Sequence, residues 1–429
     1  MRLLFSALAL CAAVLSQAAG KDFPLVEARE VTARGGLPNF FRKAQTTGAE
    51  IKIGYLGGSI TAQNGWRVQT LAHFKQACPQ ASFTEINAAI GGTGSDLGVF
   101  RVQQDVLSKG PDLLFVEFAV NDGGADPQRI IRAMEGIVRQ TWKANPSTDI
   151  CFVYTITEAL SPPMLEGKLQ RSASAMEKVA DHYGIPSITL GMEVAKLAKA
   201  GKLLWRAKLP KTADERAALA DRFVFAPDST HPHESTGHVL YTQAIVRSLP
   251  ALAIANATPT AHVSGPALDP ANWERAKLAP ITAAKLSAGV ASADPATDAH
   301  AKVGAKRLPA MVRLTRPGQS LEFRFQGTHC AVYDVVGPAG GKVAVTLDGG
   351  KPFVVQRIDA YGTYPRLSTF IVGTDLPEGV HSVRLELLAD PIDKAAVLAK
   401  NKNKIDKPER FAPLEFHPGG LLLLGELVP

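Results

Sequence analysis

Between residues 51 and 250, short runs of apolar, β-branched and aromatic residues alternate with longer amphipathic stretches. Residues 51–56, 83–87, 113–120, 150–156 and 187–190 read as strands, set off by turn-forming residues. Between them, 66–76, 127–143 and 165–182 carry the spacing of amphipathic helices. The middle one opens with Asp126 as N-cap and Pro127 at the first helical position, and it stops at Asn145-Pro146. Such alternation predicts a parallel sheet with helices on both faces, a three-layer α/β/α flavodoxin-like domain. Residues 192–222, rich in Lys and Ala, read as a helical insertion, and 236–248 as a closing helix.

After Pro250 the pattern changes. Residues 251–312 are rich in Ala and Pro and read as a linker with peripheral packing. From 321 the period is two, over 321–325, 330–336, 342–347, 353–357, 368–372 and 381–387, with turns at Gly337-Pro338 and Asp348-Gly349-Gly350. That is the signature of an antiparallel β-sandwich, placed at 313–429 after a catalytic domain at 21–250. Residues 1–20 combine Arg2, an apolar run from Leu3 to Leu15 and small residues up to Gly20. They read as a cleaved secretory signal peptide, too short to span a bilayer, so the expected location is secreted or periplasmic. No later stretch has the length and apolarity of a membrane helix.

Composition narrows the class. Of the residues, 46% are hydrophobic and 20% charged, an ordinary balance for a globular enzyme. The net charge of +7 is scattered, apart from the lysines at 400, 402 and 404, so no basic face for nucleic acid is expected. Cleavage of the leader leaves Cys78, Cys151 and Cys330, an odd number that allows one disulfide at most. Cys151 and Cys330 sit in apolar strands and read as small buried hydrophobes. The oligomeric state is not encoded in any of these features.

The chemistry is concentrated in four clusters. Gly57-Gly58-Ser59-Ile60-Thr61 ends the first strand, and Asn87 to Ser95, with Gly91-Gly92, follows the second. Ala119-Val120-Asn121-Asp122-Gly123-Gly124 follows the third, and Asp228-Ser229-Thr230-His231-Pro232 precedes the last helix. Each lies at a strand end or helix start, which gathers all four at one end of the sheet, where open α/β folds keep their sites. In order and spacing, over about 200 residues, the clusters resemble the SGNH (GDSL-like) hydrolase superfamily and its secreted carbohydrate esterases.

The resemblance implies a serine esterase that removes small acyl groups, O-acetyl foremost, from a carbohydrate. Ser59 would be the nucleophile, His231 the general base and Asp228 the group that holds the imidazole. The backbone amides of Ser59 and Gly92 and the side-chain amide of Asn121 would form the oxyanion hole. No metal or organic cofactor is required. His231, His233 and His238 lack a carboxylate or thiol at ligand spacing on a defined helix, so no metal is expected there. Two positions depart from the family: Gly58 stands where an aspartate is usual, and Ala119 where a glycine is usual. Neither performs chemistry in this mechanism.

Other residues carry two readings. Arg67 is a candidate substrate contact, and Trp66 beside it a core residue. Glu158 is either a substrate contact or a solvated loop acid. Glu117, inside an apolar strand, needs a partner if buried. Asp122 either orients Asn121 or satisfies loop amides, and Trp273, Tyr361 and Tyr364 either stack on sugars or pack. The same residues also accommodate an O-acetyltransferase, a lipase or arylesterase, or a glycan-binding protein with a vestigial site.

Overall fold

The computed structural model describes residues 23–254 and 258–429, which form two compact units that divide between Glu274 and Arg275. The leader expected at 1–20 lies outside the described residues. No helix among the described residues is long and apolar enough to cross a membrane.

Unit 1 is built on the strands β1 (Val31–Thr32), β2 (Glu50–Gly57), β3 (Ser82–Asn87), β4 (Leu113–Glu117), β5 (Asp149–Tyr154) and β6 (Ser187–Thr189). They run in the order β1-β6-β5-β4-β2-β3, parallel throughout except for β1 on the edge. Setting β1 aside, this is the flavodoxin-like order, and the direction of winding reverses between β2 and β4. Strands β4 and β5 are buried on both faces, which is why they read as continuous apolar runs. Beneath the end of β2, Tyr55 stacks on Phe115 at 5.6 Å, and Trp66 meets both edge-on. Each such ring pair adds about 0.5–1.5 kcal/mol beyond burial, so the floor under the first cluster is stiff.

Two predicted helices are interrupted. The stretch 165–182 is helical only over Arg171–Tyr183, because Gly167 takes φ +81° and the chain breaks after a short turn. Residues 192–222 hold Met192–Lys199 and Ala213–Leu219, separated by β7 (Leu203–Arg206). Gly201 at φ +69° ends the first helix, and β7 pairs in parallel with β8 (Phe223–Ala226), which leads into the fourth cluster. The closing helix runs over Gly237–Ile254.

The stretch 251–312 is divided between the units. In unit 1, His262 stacks on Trp142 and bonds the buried Asp149, Asp269 pairs with Arg132, and Trp273 packs on Phe100. Trp273 is thus a buried residue of unit 1, not the sugar-stacking residue of a β domain. Tyr361 and Tyr364 are exposed.

Unit 2 is all-antiparallel. Its spine is Ser320–Val336, where the sequence suggested two strands. The first half pairs with Gly379–Leu387, the second with Arg366–Gly373, and Pro418–Val428 runs along the other side. The inward residues switch from Leu321, Phe323 and Phe325 to Cys330 and Val332, so the parity inverts, as a bulge at Gly327–His329 demands. The inward residues of these strands share one buried core. Cys78, Cys151 and Cys330 are free, the last two buried.

Candidate active site

Ser59 begins a short helix, Ser59–Ala62, directly after β2. Its approach is crowded: a Cβ on Gly57 would lie 2.7 Å from Thr61 Oγ1, and one on Gly58 would lie 1.8 Å from Asn121 Oδ1. No side chain fits at Gly58 with Asn121 in place. The missing aspartate is therefore exchanged for a direct approach of the Asn121 amide to the nucleophile turn.

His231 Nε2 lies 2.8 Å from Ser59 Oγ, and His231 Nδ1 lies 2.7 Å from Asp228 Oδ2. The three groups therefore stand in file. Asp228 Oδ1 also accepts from the backbone N–H groups of Thr230 and His231, which fixes the loop around Ser229, held at φ +64°. Partial burial pushes the Asp228 carboxyl up, but the His231 amide, the imidazole and the Thr230 amide outweigh it and hold it below the ordinary range. The side chains of His231 and Asp228 are 36% and 48% exposed, so the site is open to solvent.

The second cluster packs beside Ser59, with a Cβ on Gly91 falling 3.5 Å from Ser59 Cβ. Gly92 takes φ +73°, a backbone sign that a side chain disfavours, and faces open space. The loop is anchored by Asp122, which accepts from the Ser95 amide at 3.0 Å. Asp122 thus satisfies loop amides, while its neighbour Asn121 faces the turn. Burial pushes the Asp122 carboxyl up to about 7.

A raised folded-state pKa makes the native protein bind the proton more tightly than the unfolded chain. Stability from this group is therefore full below about pH 4 and is lost as pH rises toward 7. In Asp122→Asn that slope should vanish, by at most about 1.4 kcal/mol per pH unit. Melting temperature against pH for both proteins checks it, and parallel curves would refute it.

Three residues that the sequence left aside or unresolved tie the site together. Glu117 is fully buried beneath the turn, accepting from Thr61 and Thr155 hydroxyls at 2.9 and 2.6 Å and from the Gly58 amide. Burial raises its pKa and these donors oppose the rise. His238 accepts the Trp66 amide at Nδ1 and so donates from Nε2 to Gln63 Oε1, at 3.2 Å each. Gln63 in turn donates to Pro232 O, next to His231. Burial, then His231, lowers the His238 pKa to about 4, so it is neutral in this chain of bonds. Gln63 follows Ser59 by one helical turn, a spacing visible in the sequence, but nothing there marks its pairing with His238.

Two weaker candidates separate. Arg67 is buried, paired with Glu85 and bonded to Thr61 O, so it braces the turn and is not available to substrate. Glu158 is exposed, and its amide donates to Ser229 O, which puts it on the rim beside the acid–base loop. His233 bonds Ala207 O.

A serine nucleophile turn at the switch point of a flavodoxin-like sheet, with an Asp-x-x-His loop beside it, is the arrangement of an ester hydrolase. Residues 55–238 match the GDSL-like Lipase/Acylhydrolase family, a span holding all four clusters. Both units together resemble a two-domain esterase (CEX) active on acetylated mannans, co-crystallized with mannopentaose. That likeness has a TM-score of 0.70 at 19% identity, over 95% of this chain and 100% of that one. A second structure of such an esterase aligns with TM-score 0.69 at 20% identity, over 92% and 98% of the two chains. These likenesses show the fold. No curated protein matches the chain in sequence.

Proposed function

We propose that this protein is an exported esterase that removes O-acetyl groups from a polysaccharide by a Ser59–His231–Asp228 mechanism. The observation that carries the mechanism is the file of two hydrogen bonds, 2.8 and 2.7 Å, from Ser59 through His231 to Asp228. Ser59 Oγ attacks the ester carbonyl as His231 Nε2 takes its proton. The oxyanion faces the amides of Ser59, Gly92 and Asn121. The C–O bond to the sugar breaks as His231 returns the proton to the departing alkoxide. Water then gives a proton to His231 and attacks the acyl-serine, the bond from the acyl carbon to Oγ breaks as Ser59 Oγ takes the proton back from His231, and the acid leaves as acetate. Losing one oxyanion donor, as in Asn121→Ala, costs about 10²–10³ in turnover.

The substrate class is supported by the likeness to esterases active on acetylated mannans and by the open setting of His231 and Asp228. Export is supported by the leader-like residues 1–20. Acetate release from acetylated mannan and acetylated xylan, set beside 4-nitrophenyl acetate and octanoate, tests the reading. Release from a polysaccharide, with acetate preferred over octanoate, is the expected result. Preference for octanoate makes it a lipase, and transfer to an added sugar in place of hydrolysis makes it an acyltransferase.

A further inference from the structure

Glu117 closes β4 and lies in register with Gly57, the last residue of β2. Its side chain is 1% exposed, and no cation pairs with it among the described residues. The titratable groups that sense its charge, Asp122 and Tyr241, bring no positive charge of their own. Burying an acid without a counter-charge costs stability that an apolar side chain would not. Its use lies in what it holds.

The carboxyl holds the turn around Ser59 on both sides. It accepts the amide of Gly58, one residue before Ser59, and the hydroxyl of Thr61, two residues after it, the latter at 2.9 Å. Thr155, just beyond the end of β5, bonds the other oxygen at 2.6 Å and fixes the plane of the carboxyl. Between the two anchors, Gly58 O accepts the Ala62 amide at 3.0 Å. The N–H of Ser59 belongs to the same trans peptide as that carbonyl, so it points the opposite way, out of the start of the short helix. Asn121 is set from the same strand end. It follows Glu117 by four residues, in a turn closed by the Asp122 amide donating to Phe118 O at 2.8 Å, and its side chain stands against Gly58.

We infer, on the serine mechanism proposed above, that Glu117 is a positioning residue for ester hydrolysis. From one strand it fixes two oxyanion donors, the Ser59 amide and the Asn121 side chain, at the spacing the developing charge requires. Such donors act only where they meet the oxyanion at about 2.7–3.1 Å. A displacement of about 1 Å costs roughly 10²-fold. Glu117→Gln keeps the shape of the side chain but puts an NH₂ where one of its two acceptor oxygens stood. The Gly58 amide can only donate, so the turn must shift to restore its bonds. That shift is felt by the transition state rather than by the bound ester, and the loss falls on kcat instead of KM.

The test uses the full-length protein, with active sites counted by exhaustive fluorophosphonate labelling. Glu117→Gln should lower kcat for 4-nitrophenyl acetate by about 10–100-fold per labelled site, with KM moved by less than about threefold. Methylboronic acid, whose tetrahedral adduct on Ser59 turns an oxygen toward the same donors, should inhibit more weakly by a like factor. A carboxyl that serves folding alone would lower the melting temperature and the number of labelled sites, yet leave turnover per site and boronate inhibition unchanged, and that result overturns the inference. Should Glu117→Gln not fold, Thr61→Val carries the same test. It should lose about tenfold in kcat, restored by Thr61→Ser, which keeps the hydroxyl; wild-type turnover in Thr61→Val overturns the inference. A wild type that resists both fluorophosphonate and boronate would remove the serine mechanism itself, and this inference with it. Inhibition of the wild type by both leaves that mechanism standing whatever Glu117→Gln does.

Discussion

Ser59→Ala should lower ester hydrolysis by about 10⁶-fold, toward the rate left by binding and oxyanion stabilisation alone. The loss follows from chemistry rather than folding. Ser59 is only half-buried at the start of a four-residue helix, where alanine is well tolerated, so the melting temperature should barely move. Removal of Oγ takes away the hydroxyl that His231 Nε2 contacts at 2.8 Å. Because nucleophile and base act as one unit, His231→Ala should cost nearly as much alone and almost nothing further in the Ser59→Ala background. Single-turnover acetate release from 4-nitrophenyl acetate, with folding followed by circular dichroism, measures all three proteins. An additive double mutant would mean that the two residues work independently, and an active Ser59→Ala would dismiss the serine mechanism.

What could be read from the sequence followed from how local each signal was. Strands β4, β5 and β6 are marked by short apolar runs that their burial on two faces requires, and the observed bounds of β2 to β6 fall within about three residues of those predicted. The four clusters were legible because each joins a turn residue to a reactive group within a few positions. Arg67 was misplaced because it follows the half-buried Ser59 closely in sequence, while Arg67 itself is buried and points back to Glu85, 18 residues on. Burial of a single charge has no periodic signature. The brace of Gln63 and His238 spans 175 residues and the carboxylate of Glu117 meets Thr61 and Thr155, pairings that only the folded sheet creates. In unit 2 the strand Pro418–Val428 escaped detection because Leu421 to Leu424 are four leucines in a row, with no alternation to mark a strand. Residues 192–222 read as helical because Ala and Lys dominate, and tertiary pairing of β7 with β8 overrode that preference.

Asp228→Asn should reduce turnover by about 10⁴-fold with little change in structure. The carboxylate has two tasks, and the substitution separates them. Its Oδ1 accepts the amides of Thr230 and His231 and supports the left-handed Ser229, which an asparagine oxygen can also do. Its Oδ2 accepts from His231 Nδ1, which fixes the tautomer that leaves Nε2 bare toward Ser59. With the asparagine oxygen on the loop amides, its NH₂ turns to Nδ1, makes that nitrogen the acceptor and places the ring proton on Nε2. The base then reaches Ser59 already protonated. Asp228→Ala should show the complement, a comparable fall in rate together with a lower melting temperature, since the loop loses both acceptors. Steady-state kinetics and thermal denaturation of the pair distinguish the tasks. If Asp228→Asn keeps wild-type turnover while Asp228→Ala does not, the carboxylate serves the loop alone, and His231 must be oriented by the Gln63–Pro232 brace on its other side.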